Sequence, residues 1–222
     1  MDIYNSNLLF LLDQRKITIS EFERDIAIPK IRINDPQPAE MLRISDFFSI
    51  SLDILLRKDL RVAEKVRGLD IRFVALDVDG TLTDGKMNFT ENGDQFKSYS
   101  TKDGLGIVTQ MKKGTQFGII SHGRKPNMIL NRAELLGIKN VYVGEESKLT
   151  VLTKWSQELG IPLHQCAFVG DDVNDLDVIA AVGLSACPAD ASDVVKKKID
   201  IILSVNGGQG CVREFIDEWL AK

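Results

Sequence analysis

The feature that most constrains this chain is a recurring rhythm: a short apolar run that stops at an acid, a serine or a glycine, followed by a stretch of helical periodicity. Residues 71–78 (I-R-F-V-A-L-D-V) form the first such run, and residues 116–121, 141–143 and 166–171 repeat it. Runs of this length and composition read as buried parallel strands. Residues 104–113, 126–136 and 149–159 between them read as helices. Strand and helix in alternation predict a doubly wound α/β sheet, with an active site outside the carboxyl ends of the strands. Residues 86–97 interrupt the alternation. Glu91-Asn92-Gly93-Asp94 at their centre predicts a β-hairpin around an Asn-Gly turn, projecting beside that site.

The chemistry stands where the runs end. Asp77-Val78-Asp79-Gly80-Thr81 puts two carboxylates two residues apart after an apolar strand, before a glycine that permits a sharp turn. In an extended chain, period two turns both toward one side. A lone pair of this kind reads equally well as acids in a solvated turn. Three further elements follow in order: Ser121 at a strand end, Lys148 opening a helix, and Gly170-Asp171-Asp172-Val173-Asn174-Asp175 at another strand end. Taken singly, Ser121 is a turn residue and Lys148 a solvated cation; their order in the set reverses both readings.

This order resembles the haloacid dehalogenase-type phosphatase superfamily from about Gly68 to the C-terminus. The resemblance implies that Asp77 attacks phosphorus to form an aspartyl phosphate and that Asp79 serves as acid and then base. It also implies a magnesium ion held by Asp77, Asp171 and the main-chain carbonyl of Asp79, because two anions would otherwise repel. Ser121 and Lys148 would hold the phosphate oxygens. Asp172 and Asp175 would orient the metal site and Lys148.

Neither gap between motifs has room for a cap domain. A cap-less chain with a hairpin and the tail Gly207-Gly208-Gln209-Gly210-Cys211-Val212-Arg213-Glu214 resembles the 3-deoxy-D-manno-octulosonate 8-phosphate phosphatases. That resemblance implies a phosphorylated sugar acid as substrate and a homotetramer assembled through the hairpins. It also implies a pocket lined by the segment Ser100, Thr101, Lys102, Asp103 and Gly104. Arg124 could pair with a sugar-acid carboxylate through two parallel hydrogen bonds. Arg213 could add a second cation. His122 interrupts the Ser/Thr-Gly-Arg pattern of such relatives and reads as a loop insertion or a substrate contact. The rival readings are a phosphatase for nonulosonate 9-phosphates, and a DNA-binding regulator that senses a sugar phosphate without turning it over. Intact Asp77, Asp79, Lys148 and Asp171 count against the regulator.

The chain has 222 residues, which fits a small helical domain at residues 1–66 before an α/β domain at residues 67–222. Within the first, helical patterning runs through about residues 7–60. Ser20 with Glu23 fits a capping box, and Ser51 fits a helix cap. Residues 38–56 resemble the second half of a Cro-repressor-type helix-turn-helix domain. Residues 28–38 hold three prolines where the recognition helix should lie. A DNA-reading helix must fill the major groove, and this segment is expected not to. Charge agrees, with 11 Lys plus Arg against 11 Asp plus Glu through Gly68, so no cationic surface favours nucleic acid.

Three cysteines without metal-type spacing and two distant histidines argue against zinc and disulfides. No apolar run is long enough to span a bilayer. Met1 is followed by Asp2 and polar residues rather than a basic stretch and apolar core, so the expected location is the cytoplasm.

Overall fold

The structure, a computed structural model, describes residues 3–220. It divides into two compact units, Met1–Gly68 and Leu69–Lys222. Among the described residues no helix is long and apolar enough to cross a membrane.

The first unit is entirely helical: α1 (Ile3–Arg15), α2 (Ile19–Ile26), α3 (Lys30–Ile33), α4 (Pro38–Phe48), α5 (Leu52–Arg57) and α6 (Leu60–Arg67). Its core is Tyr4, Leu8, Leu12, Phe22, Ile26, Ile28, Ile33, Ile44, Phe48 and Leu55. The capping box of α2 is Thr18 with Glu21, not Ser20 with Glu23. Thr18 Oγ1 accepts from the Glu21 amide, and Glu21 accepts from the Thr18 amide at 2.8 Å. Glu23 instead accepts from the Lys30 amide at 2.6 Å. Ser51 caps α5 as expected, accepting from the Ile54 amide. Asn7, fully buried, ties α1 to the chain around α5: its amide donates to the Leu55 and Lys58 carbonyls and its oxygen accepts from the Leu60 amide. The segment with three prolines keeps one four-residue turn, α3. At 1.5 Å per residue such a turn rises only about 6 Å.

The second unit carries the alternation read from the sequence. In chain order it comprises β1 (Phe73–Leu76), the hairpin strands β2 (Asn88–Phe89) and β3 (Gln95–Phe96), α7 (Thr101–Lys112), β4 (Gln116–Ser121), α8 (Asn127–Leu136), β5 (Asn140–Val143) and α9 (Lys148–Leu159). There follow β6 (Cys166–Val169), α10 (Leu176–Ala181), β7 (Leu184–Cys187), α11 (Asp193–Lys196), β8 (Ile201–Ile202) and α12 (Cys211–Phe215). The large sheet is parallel throughout and ordered β5-β4-β1-β6-β7-β8. The chain therefore winds outward from β1 through β4 and β5. It then crosses to the other side of β1 for β6, β7 and β8. The switch point lies at the carboxyl ends of β4, β1 and β6, where ligands of such sheets bind.

Every residue of β1 and β6 is buried, as a sheet covered on both faces requires. Gly118 lets Phe73 and Trp155 close over β4; a Cβ there would meet both rings. Strands β7 and β8 were not read from the sequence. Leu184-Ser185-Ala186-Cys187 is weakly apolar, and Ser185 is buried only because its hydroxyl and amide both bond to Asp200. Phe168 is fully buried at the centre of β6. Phe168→Ala is expected to lower unfolding stability by about 3–5 kcal/mol, read as a lowered denaturant midpoint for this unit.

Candidate active site

Strand β1 ends at Leu76, and the Asp77 amide still donates to the Val169 carbonyl of β6 at 2.9 Å. Asp77 is thus held at the sheet centre and is only 6% exposed. The chain then turns sharply. Gly80 takes φ +98°, and a Cβ there would run into the Asp171 carboxylate. This turn separates the two acids of the first motif: Asp77 stays buried, while Asp79 is half-exposed.

Lys148 opens α9 and is 1% exposed. Its ammonium lies 2.5 Å from Asp77 Oδ1 and 2.5 Å from Asp175 Oδ1. Asp175 uses its other oxygen to accept from the Asp171 and Asp172 amides at 3.0 and 3.3 Å. Asp172 itself is exposed and caps the short turn that follows. Ser121, 1% exposed, ends β4, and its hydroxyl accepts from the Gly123 amide at 3.0 Å. Asp77, Ser121, Lys148, Asp171 and Asp175 therefore stand where the sheet switches direction. The glycine tail seals the turn from behind. Gly208 donates to the Thr81 carbonyl at 2.9 Å, and a Cβ on Gly207 would overlap the Gly80 carbonyl.

Beside this cluster lies a cavity of ≈ 470 Å³ that Asp79 lines. The hairpin supplies Lys86, Phe96 and Lys97 to its wall, and the loop after β4 supplies His122, Arg124 and Lys125. Lys97 reaches Asp79 directly, its ammonium bonded to Oδ1. The pocket is thus cationic apart from one carboxylate. Lys97 was not singled out from the sequence, because its reach depends on how the hairpin folds back. A lysine at the foot of a hairpin beside the first motif was the available signal.

The same chemistry stands in known proteins. Residues 140–216 match the haloacid dehalogenase-like hydrolase family. The 3-deoxy-D-manno-octulosonate 8-phosphate phosphatase of Haemophilus influenzae is 40% identical over 148 residues, 67% of this chain and 82% of that protein. The chain belongs to the haloacid dehalogenase-like hydrolases and is a phosphatase. The Escherichia coli K12 enzyme of the same name is 36% identical over 67% of this chain and 78% of its own. A cobalt-bound structure of the H. influenzae phosphatase aligns with a TM-score of 0.66 at 38% identity, covering 70% of this chain and 90% of that one. The Moraxella catarrhalis phosphatase, solved with magnesium, phosphate and KDO, aligns with a TM-score of 0.68 at 32% identity, covering 72% and 90%.

Charge in this hydrolase site is out of balance, because three carboxylates, Asp77 and Asp175 buried and Asp171 half-buried, face one ammonium. Burial pushes Asp77 up to about 6, Lys148 pulls it down and Asp175 adds to the rise. Burial pushes Asp171 up to about 8, with Asp77 and Asp175 adding to the rise. Burial would lower Lys148, but Asp77 and Asp175 outweigh it, so Lys148 is raised and stays charged. Asp171 Oδ1 is buried without a hydrogen-bond partner. Asp77, Asp171 and Asp175 each offer an oxygen, all within 4.8 Å of one another. Hard oxygen donors with excess negative charge fit magnesium. Asp175 is committed to Lys148 and two amides through both its oxygens, whereas Asp77 gives Lys148 only Oδ1 and Asp171 Oδ1 has no partner.

The segment from Ser100 to Gly104 forms the cap and first turn of α7. Ser100 caps α7, and its carbonyl accepts from Arg132 at 3.0 Å. Asp103 is buried and accepts from the Arg213 amide of α12 at 2.8 Å; burial pushes it up to about 6. Gly104 packs against Arg132. Thr101 and Lys102 face solvent, and the Arg213 guanidinium pairs with Asp217 at 2.6 Å. Within one chain none of these residues lines the cavity. Arg124 does.

Asp77 and Asp171 bind protons more tightly folded than unfolded. Their protonated forms stabilise the fold at low pH, and that contribution is lost as pH rises through about 6 and then about 8. In chelator the melting temperature should therefore fall between about pH 5 and pH 8, and magnesium should restore it most at the upper end. Thermal melts with and without magnesium read this directly. A pH-independent melt in chelator would mean that the two carboxylates hold no extra proton.

Proposed function

We propose that this phosphatase hydrolyses a phosphorylated sugar acid, 3-deoxy-D-manno-octulosonate 8-phosphate, through an aspartyl phosphate on Asp77. The observation that carries the reading is the division of the first motif. Asp77 is buried beside Lys148 and Asp171, whereas Asp79 faces a cationic cavity of ≈ 470 Å³. The names of the H. influenzae, E. coli and M. catarrhalis relatives support the substrate.

Asp77 attacks phosphorus, and the bond from phosphorus to the sugar oxygen breaks. Asp79, at the mouth of the cavity, gives its proton to that leaving oxygen and then takes one from the water that releases phosphate. Ser121 and Lys148 hold the phosphoryl oxygens, Lys148 neutralising charge that grows toward the transition state. Asp77, Asp171 and the Asp79 main-chain carbonyl would hold magnesium, which would offset the negative charge of nucleophile and phosphate. Asp172 and Asp175 act behind it, Asp175 by fixing Lys148 and the loop of Asp171. Arg124 pairs with the sugar-acid carboxylate, assisted by Lys86 and Lys125 on the same wall.

The hairpin also supports assembly into a homotetramer. Met87, Phe89 and Phe96 are 70%, 56% and 51% exposed on so short an element. Apolar clusters of this kind mark contact surfaces. Phe89→Asp is expected to shift the species seen by light scattering from tetramer to smaller forms. A wild-type protein that runs as a monomer would sink this part of the reading.

Phosphate release from 3-deoxy-D-manno-octulosonate 8-phosphate and from a nonulosonate 9-phosphate tests the activity. Release from the former should require magnesium and be lost in Asp77→Asn. Arg124→Ala should raise KM for the sugar acid by about tenfold or more, as loss of a bidentate charged contact does. Preference for the nonulosonate would keep the mechanism and discard the substrate.

A further inference from the structure

His122 has no part in the chemistry above, yet both its ring nitrogens are engaged. The residue directly follows Ser121, and its ring is exposed at the rim of the cavity. Nε2 lies 2.9 Å from the main-chain carbonyl oxygen of Glu146, and Nδ1 lies 3.2 Å from the side-chain amide nitrogen of Asn174. A carbonyl only accepts, so Nε2 carries the hydrogen. Nδ1 then offers its lone pair to the Asn174 amide, so a single tautomer meets both partners.

The partners come from two other loops. Glu146 precedes Ser147, whose hydroxyl caps α9 by accepting from the Thr150 amide at 3.1 Å, and Lys148 follows it. Asn174 precedes Asp175, the carboxylate that holds Lys148 and the Asp171 and Asp172 amides. One imidazole thus joins the loops after β4, β5 and β6. At each end it sits within two residues of the hydroxyl, the ammonium or the carboxylate on which the site depends.

We propose that His122 is a positioning residue for phosphoryl transfer, a strap that holds Ser121, Lys148 and Asp175 in mutual register. The inference rests on the reading of this site as the phosphatase centre. The reason is geometric, since catalysis by positioned charge falls steeply with displacements of about 1 Å. Loops at strand ends have no ladder of their own to prevent such displacements. Lys148 is pinned at its ammonium by carboxylates. The strap pins the main chain from which its helix starts.

The test uses His122→Ala, Asn174→Ala, the double variant and His122→Gln, with magnesium. Each is assayed on 3-deoxy-D-manno-octulosonate 8-phosphate and on p-nitrophenyl phosphate, which has no sugar acid. His122→Ala should lower kcat about tenfold on both substrates, as loss of a group that orients catalytic residues does. The double variant should be no slower than His122→Ala, because both changes cut one strap. His122→Gln keeps a donor toward the Glu146 carbonyl and should regain part of the loss. Melting temperatures should stay close to wild type, since the ring is exposed. A rise in KM for the sugar acid with p-nitrophenyl phosphate unaffected would overturn positioning in favour of substrate contact. Unchanged kinetics on both would overturn it in favour of a solvated loop residue. A wild-type protein inert on both substrates would instead refute the reading of the centre itself, and the strap with it.

Discussion

The arrangement depends on a single buried cation. Lys148 is 1% exposed, and an ammonium removed from water must be paired or lose its charge. Asp77 and Asp175 pair it at 2.5 Å each, and they come from the ends of β1 and of the loop after β6. Burying this one group therefore draws three strand ends together at the switch point of the sheet. The same contact leaves the cluster short of positive charge, because Asp171 joins Asp77 and Asp175 in the space. A proton or a divalent cation must supply the difference. Burial, with this excess of negative charge, is why Asp77 and Asp171 are raised, and the neighbouring carboxylates are why Lys148 is raised as well.

Two chemically equal acids, Asp77 and Asp79, acquire different surroundings from this geometry. The left-handed turn at Gly80 sends the chain away from the cluster just after Asp79. Asp77 is left among Lys148 and Asp171, and Asp79 meets Lys97 of the hairpin segment at the cavity. Gly80 is needed twice, for its positive φ and because a side chain would occupy the place of the Asp171 carboxylate. The tail acts from the far side, with Gly207 and Gly208 close against residues 80–84. Asp103 belongs to that support. Its carboxylate bonds the amide of Arg213 and so anchors α12 to the start of α7.

The helical unit follows its own logic. Its core is closed by Phe22, Phe47 and Phe48, whose rings lie 5.1–5.3 Å apart, and Arg15 covers the two carbonyls that end α4. The turn α3 has four residues. Its prolines explain the length, since Pro36 and Pro38 remove donors and fix φ just where a helix would have to continue.

The parallel strands at residues 73–76, 116–121 and 166–169, and the order of Asp77, Ser121, Lys148 and Asp171, were legible in the sequence, because buried strands and motif residues are written in local pattern. So was the hairpin, from its Asn-Gly turn. The strand at residues 184–187 was not, because its apolar run is broken by Ser185, which is buried with its hydroxyl and amide bonded to Asp200. Nor was the start of α2, where Thr18 with Glu21 and Ser20 with Glu23 both satisfy the cap rule and the fold uses the first. Lys97, the burial of Asp103 and the two bonds of His122 belong to the tertiary structure, because each joins residues far apart in the chain. The sequence by itself determined which chemical groups this protein can bring to phosphate. Only the fold decided which of them are buried, which face the cavity and which hold the others in place, since those depend on distances that no local pattern encodes.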